Sequence, residues 1–423
     1  MTSDPDTSTW MANGKIHASV QYGDLMFIGG TFQKLREVMP PGVASGPQVS
    51  GLTGLAAIDM NTGAGIASFK PQLAATGTQA LDVQTLAIVG DTLYMGGQFS
   101  SVNGQPRLNL AAIDLDPSTL TGTVDPSFDT VVGHPGGNLS AFEVLKILPG
   151  PDALYISGAF GTVDGKGRSK VAKLSYSGVV DATFKPGTTS GAVRDLEWSA
   201  DGQTIFAGGN FWTLSGASRL AVGRLDATTG AATAWAVPGG QIPSSGGKQI
   251  CWDIVATATR LFAGCGKGPN FVGAFRTDTG DVGSRTWQYG TGGNVQAIAL
   301  LGDGESIAIG GHFGINSHST YNGLMRVCSN SRYLRALGIL RNINQTSTSS
   351  VVTSGATSST TAYLDCSFTP NFEGQDPDGP NFMGTNPFGG VWEIQVSGQH
   401  IWALGEFKYV NAAARRAIAR FAL

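Results

Sequence analysis

Seven copies of one short pattern limit the fold more than anything else in this chain. The segment from Thr85 to Asp114 reads TLAIVGDTLYMGGQFSSVNGQPRLNLAAID. Its three apolar runs, joined by Gly-Asp and Asn-Gly turns, have the form of a hairpin meander. The second run ends on Gly-Gly-Gln-Phe99. Similar endings recur at FIGGTF (Phe27 to Phe32), YISGAF (Tyr155 to Phe160), FAGGNF (Phe206 to Phe211), AIGGHF (Ala308 to Phe313) and WALGEF (Trp402 to Phe407), with a degenerate copy, FAGCGK, from Phe262 to Lys267. One such unit cannot bury its own apolar faces, so copies must stack on one another. The anchoring phenylalanines at 32, 99, 160 and 211 are unevenly spaced. Constant strands with elastic loops point to propeller blades rather than to a solenoid.

In most copies a fourth run follows the third: IASFKP from Ile66, DPSFDT from Asp125, DATFKP from Asp181, TAWAVP from Thr233, SRTWQY from Ser284 and DCSFTP from Asp365. The seventh copy stops within its third run, at Leu423, and Asp6-Thr-Ser-Thr-Trp10 matches the missing piece. The expected fold is therefore all-β: a seven-bladed β-propeller of four-stranded antiparallel blades, its ring closed by an N-terminal strand that completes the C-terminal blade. Closure of this kind removes exposed sheet edges. Residues 1–423 read as a single β-propeller domain with insertions at about 33–51, 329–365 and 370–390. In an up-and-down blade the second-to-third turns share a face with the connections between blades. The first and last insertions then belong on one rim, and 329–365 on the other.

Composition narrows the function. With 27 basic against 30 acidic residues, and charged residues at 13% of the chain, there is no basic stripe of the kind that drives nucleic-acid binding. No apolar run approaches the roughly 18 residues of a membrane span, and the acidic, polar start MTSDPD is no signal peptide. A glycine-rich, Ser/Thr-rich and Lys-poor surface fits an extracellular, cell-surface or virion location. The cysteines agree. Counting outward from a turn near Ala258 sets Cys251 opposite Cys265, within disulfide reach. Cys328 and Cys366 bracket the 329–365 loop, whose Thr346 to Thr361 tract is too polar for a core, and a bridge there would clamp its base. Two pairs at bridgeable positions favour an oxidising environment. Neither pair has a histidine or further cysteine at zinc-ligand spacing.

Carboxylates recur near the start of the first run: Asp82, Glu143, Asp195, Asp253 and Glu393, with Gln296 in copy six and Ala18 in copy one. Around a channel mouth they could hold a cation. The third run, however, begins with an arginine in several copies, and two strand spacings, about 9.6 Å, lie within an arginine's reach. The expected outcome is structural ion pairs within blades, Asp82 with Arg107, Glu143 with Arg168, Asp195 with Arg219 and Glu393 with Arg415, and no metal. Asp253 has no such arginine. The Asp59-Met-Asn-Thr-Gly63 and Asp226-Ala-Thr-Thr-Gly230 loops fall where a third strand must turn, so capping is their expected role. Asp376-Pro-Asp378-Gly has part of a calcium-loop pattern without the later glutamate, which leaves calcium there as the one cofactor to consider. No nucleophile elbow or phosphate loop is present.

Segments such as LEWSADGQTIFAGGNFWTLSGASRLAVGRLDATTG (Leu196 to Gly230) resemble the delta-60 type of bacterial β-propeller repeat. Shared features are the DG turn, the Gly-Gly-x-Phe ending and the Leu-Ala-x-x-Arg-Leu-Asp third strand. The resemblance implies a secreted or surface-displayed bacterial protein and carries no catalytic residues. The expected function is a non-catalytic binding or adhesion module that recognises a glycan or protein through its rim loops. Phe372, Phe382 and Phe388 would give stacking faces, Asp376 and Asp378 acceptors for hydroxyls, and Arg36 a cation from the first insertion. A phage tail or head assembly protein is one alternative. A polysaccharide-active glycosidase or lyase, with Asp253 and Glu143 as candidate acids, is the other.

Overall fold

The glycines that end each second strand are where sequence and architecture meet. Among the described residues, seven antiparallel sheets repeat the same three strands. Their first strands are Ile16–Tyr22, Asp82–Val89, Val144–Pro149, Val193–Trp198, Ile250–Ala256, Asn294–Leu300 and Gly390–Ser397. Each pairs with a second strand (Leu25–Gly30, Thr92–Gln98, Leu154–Gly158, Thr204–Gly209, Arg260–Gly266, Ser306–His312, His400–Glu406), which pairs in turn with a third. A Cβ on the first glycine of the pair would strike the next sheet: on Gly96 it would lie 2.6 Å from Val144 Cγ1, and on Gly310 2.6 Å from Val391 Cγ1. A Cβ on the second would strike its own sheet, 2.1 Å from the Glu143 carbonyl for Gly158. Gly158→Ala is therefore expected to cost about 2 kcal/mol through overpacking, read as a lower urea midpoint. Gly167→Ala, where a Cβ meets nothing within 4 Å, should leave the midpoint in place.

The computed structural model describes residues 4–38, 46–77, 80–134, 143–244, 246, 249–291, 293–312, 337–341, 343, 344, 363–365, 368, 370, 372, 373, 390–411 and 413–423. Among these there are strands and no helix, so the architecture is all-β and of the β-propeller kind. The apolar residues gather in seven cores, each shared by two consecutive sheets. Phe27, Leu55, Leu93 and Ile113 fill the one between the first and second sheets, and Trp402, Leu404 and Ile418 meet Ile16, Met26 and Ile28 between the seventh and first. Each first strand lies against the next one, and Gly390–Ser397 lies against Ile16–Tyr22.

The fourth run differs from its expected form. A regular fourth strand is present at Thr121–Val124, Arg285–Gly290 and Tyr363–Leu364. In the first, third and fourth sheets only a single bridge forms, as between Leu174 and Val180. The motif itself is a bend in these sheets and, beyond Thr121–Val124, in the second as well. The motif's aromatic (Phe69, Phe128, Phe184, Trp235) turns inward and is fully buried edge-on against a ring of the second strand, such as Phe27, Tyr94, Tyr155 or Phe206. The preceding acid caps the bend: Asp125 Oδ1 accepts from Ser127 N at 2.8 Å, and Asp181 Oδ1 from Thr183 N at 2.7 Å. A side chain thus supplies what a ladder would have supplied. The Asp6-Thr-Ser8 turn repeats the same cap. The Asp6 N–H donates to the Arg420 carbonyl at 2.7 Å, its carboxylate pairs with the Arg420 guanidinium, and Trp10 packs on the core between the last and first sheets. The N-terminal segment therefore sits beside Ile418–Ala422 as a capped bend rather than a strand.

The second-to-third connections form small rim hairpins, such as Ser101–Val102 with Gln105–Pro106, turning at Asn103 (φ 49°) and Gly104 (φ 75°). Each of several takes an extra pairing from the incoming connection: Leu73–Ala74 on Ser101–Val102, Met11–Ala12 on Lys34–Arg36, and Phe372–Glu373 on Tyr409–Val410. The first insertion and the segment at 372–373 are thereby on one rim. Cys251 and Cys265 are disulfide-bonded, as expected. Cys328 and Cys366 lie outside the described residues, as does most of 329–365.

Candidate functional site

Among the described residues, each of these first strands carries a β-bulge near its start. The register shifts fall between Ile16 and Ala18, Val83 and Thr85, Val144 and Lys146, Val193 and Asp195, Cys251 and Asp253, Val295 and Ala297, and Val391 and Glu393. A bulge opposes two residues to one and frees the extra side chain from the ladder. The freed residues are His17, Gln84, Leu145, Arg194, Trp252, Gln296 and Trp392, and all seven line a cavity of about 150 Å³. Three of them, Trp252, Gln296 and Trp392, also line a second cavity of about 720 Å³ together with Lys15, Lys267, Asn294, His312, Lys408 and Arg416. Those residues stand where first strands begin, where second strands end or, for Arg416, just before the third strand Ile418–Ala422, so the larger cavity opens toward the rim that carries the hairpins.

The bulge sorts the recurrent carboxylates into two levels. Asp82 and Glu143 precede the buried valine, whereas Asp195, Asp253 and Glu393 follow the bulge residue and sit deeper. At the deeper level the side chain ties its sheet to the next. Thr85 Oγ1 accepts the Ile147 N–H at 3.0 Å, Asp195 Oδ2 the Ile254 N–H at 2.8 Å, and Asp253 Oδ2 the Ile298 N–H at 2.5 Å. Glu393 Oε1 accepts the Ser19 hydroxyl at 3.0 Å. Lys146 Nζ lies 2.7 Å from Asp195 Oδ1, with 31% of its side chain exposed, toward the inner cavity it lines. Burial alone would favour the neutral amine, but Asp195, Asp253 and Glu197 outweigh it and hold the lysine charged. Burial also pushes Glu393 and Glu197 up to about 7 against the pull of Lys146. Burial, and then the neighbouring Asp195, raise Asp253 well above the usual carboxylate range.

At the upper level His17 Nδ1 lies 3.0 Å from Asp82 Oδ1, and burial raises Glu143 against the opposing charge of Arg194. The Arg194 guanidinium stacks on Trp252 at 4.1 Å. Trp392 makes edge contacts with Trp252, His17 and His312 at centroid distances of 6.2, 5.2 and 5.0 Å. These rings form a partition between the two cavities. Among the described residues no cluster of three His, Cys, Asp or Glu side chains could hold a metal.

The expected ion pairs within blades are not made. Arg107 donates to the carbonyls of Pro106 and Asp125, Arg168 to those of Gly167 and Asp181, and Arg219 to those of Ser218, Thr233 and Trp235. The arginines reach outward to hold the fourth run, because that bend leaves carbonyls free of the ladder. Asp82 is matched by His17, Asp195 by Lys146, and Glu393 by Ser19. Arg415 is buried and makes no ion pair with Glu393; burial lowers its affinity for the proton and nearby Asp6 partly offsets that. Asp59 and Asp226 do cap their turns, each accepting from a threonine N–H at 2.7 Å. Arg36 is exposed in the first insertion's hairpin, opposite Met11 and Gln48. Phe372 pairs through its backbone with Val410. Asp376, Asp378, Phe382 and Phe388 lie outside the described residues.

Lys146, Arg194, Trp252 and Trp392 were not singled out by the sequence pattern of acids. For Arg194, Trp252 and Trp392 the signal is positional: in each copy the residue just after the buried valine, isoleucine or cysteine that precedes the bulge is large, and in most it is polar or aromatic, while Lys146 stands one residue further on.

A family described as a domain of unknown function, the DUF5122 beta-propeller, matches residues 153–184. The match supports a bacterial β-propeller relationship. It covers Ala153 to Phe184, the run from the second strand of the third sheet to its buried aromatic. No curated protein matches the chain. Among solved structures, BamB from Moraxella catarrhalis is similar at 12% identity and a TM-score of 0.49, covering 99% of this chain and 100% of that one. The WD40 beta propeller domain of Doa1 follows at 10% and 0.48, covering 99% and 96%. The computationally designed Ika8 protein gives 11% and 0.48, covering 99% and 100%. Among the described residues no helix is long and apolar enough to cross a membrane.

Proposed function

We propose that the chain is a seven-bladed propeller of the delta-60 kind, closed by its N-terminal segment, that serves as a non-catalytic binding module outside a cell or on a virion. The core between the last and first sheets, and the Asp6–Arg420 pair across it, support closure. The disulfide supports an oxidising location. The observation that carries the binding reading is the commitment of the deep carboxylates. Asp195, Asp253 and Glu393 each accept a hydrogen bond from the next sheet and surround Lys146, and among the described acids only Glu406 reaches the larger cavity. A glycan or protein would engage the hairpin rim, where that cavity opens.

A second reading, a glycosidase or lyase, draws on Glu393, whose carboxyl burial pushes up to about 7, where a general acid works best. A panel of plant, bacterial and animal polysaccharides separates the two. The binding reading expects retention of the protein on one or more of them with no release of reducing ends or unsaturated products. Release that disappears in Glu393→Gln would establish the enzyme instead.

A further inference from the structure

The mouth of the channel has a charge the rest of the molecule does not. The chain as a whole has a formal net charge of −3. Lys15, Lys267, Lys408 and Arg416 nonetheless line the cavity of about 720 Å³, with Glu406 as its one acid among the described residues. Glu406 is engaged by Lys15 at 2.9 Å, and among the described residues Lys267, Lys408 and Arg416 make no ion pair. A volume near 700 Å³ lies in the range of small-molecule sites.

The floor of the cavity adds an independent observation. Trp252, Gln296 and Trp392 close it, and the Nε1 of both indoles and the Oε1 of Gln296 have no hydrogen-bond partner. Gln296 is 6% exposed, and an unpaired polar atom that deep has a cost of about 1–3 kcal/mol unless something satisfies it. Aromatic rings with polar edges, beside a side-chain amide, match a sugar ring and its hydroxyls.

We propose that the mouth binds a carboxylated sugar unit, the terminal uronic acid of an acidic polysaccharide. This deepens the binding reading above and rests on it. The carboxylate meets Lys408 and Arg416 through charge-assisted hydrogen bonds, and the ring lies on the floor over Trp392. Concavity argues against a nucleic-acid strand, which needs a continuous basic track, and the cations argue against a neutral sugar as the preferred ligand.

The test is calorimetric titration of the full chain with trigalacturonate and with its methyl ester, in which each carboxylate is replaced by an uncharged ester. The inference expects saturable binding of the acid, at least tenfold weaker for the ester, and weakened as salt is raised from 50 to 500 mM. Lys408→Glu combined with Arg416→Glu, both exposed, should lower affinity for the acid by at least tenfold with the unfolding midpoint unchanged. Extending the acids to oligomannuronate and oligoglucuronate covers the stereochemistry. Equal binding of acid and ester, insensitivity to the double reversal, or no binding of any of the three acids at millimolar concentration would overturn the inference. Retention on neutral polysaccharides alone would overturn it while the binding reading stood, and cleavage of the panel would remove that reading first.

Discussion

Lys146→Met is expected to lower stability by about 3 kcal/mol at pH 7, read as a lower urea midpoint. The methionine fills much of the same volume, so packing changes little. What changes is charge: Asp195, Asp253, Glu197 and Glu393 lose the ammonium they face. Removing one partner of a buried pair leaves an uncompensated charge, at a typical 3–5 kcal/mol. The pH dependence identifies the cause. Glu393 and Glu197 have folded values of about 7, above the usual glutamate value. The folded state thus binds more protons than the unfolded one between roughly pH 4.5 and 7, and these groups' contribution falls as pH rises through that window. Without Lys146 their folded values move higher still. The variant should therefore regain most of its loss on going from pH 7 to pH 5, more steeply than the parent protein. A deficit of the same size at both pH values would show that packing, not charge, was responsible.

Deletion of residues 1–10 is expected to cost about 4 kcal/mol or more. Thr9 is fully buried, Trp10 covers the core between the seventh and first sheets, and Trp10 N donates to the Gly63 carbonyl at 3.0 Å. The deletion also strips Arg420, a residue 4% exposed, of Asp6 and Ser8. A buried guanidinium without its carboxylate adds a charge penalty to the lost apolar contact. Arg420→Met in the deletion background should recover part of the loss, and Asp6→Asn alone should cost about 1 kcal/mol. Full stability of the deletion, with unchanged resistance to protease, would remove closure by this segment.

The repeat was legible because its determinants are backbone constraints. Gly-Gly-x-Phe recurs at Phe32, Phe99, Phe211 and Phe313, where the second strand passes close to a neighbouring valine or isoleucine and to its own partner's carbonyl; Ser157 and Leu404 take the first glycine's place in the third and seventh copies. The fifth copy looked degenerate for a reason the pairing explains. Cys251 and Cys265 occupy the positions held elsewhere by a valine or isoleucine and the second glycine, as in Val83 with Gly97 or Val391 with Gly405. A disulfide replaced a packing contact at one fixed register.

The axis was less legible. Counting acids near the strand start merged Asp82 and Glu143 with Asp195, Asp253 and Glu393, because a bulge inserts a residue that no linear spacing reveals. Arg107 and Arg168 were assigned to the acids two strands inward on the basis of reach. Reach alone could not tell that free carbonyls of a capped bend lay closer on the other side. Lys146 is one cation among acids at that level, and a search for like residues passes over the unlike one that balances them.

The seven bulges divide labour along the bore. Neighbouring positions on each first strand fasten sheet to sheet, while the extra residue is relieved of that duty and only faces inward. Selection could thus exchange His17, Arg194 or Trp392 for other side chains and give the same set of sheets a different inner lining, with its walls left as they were.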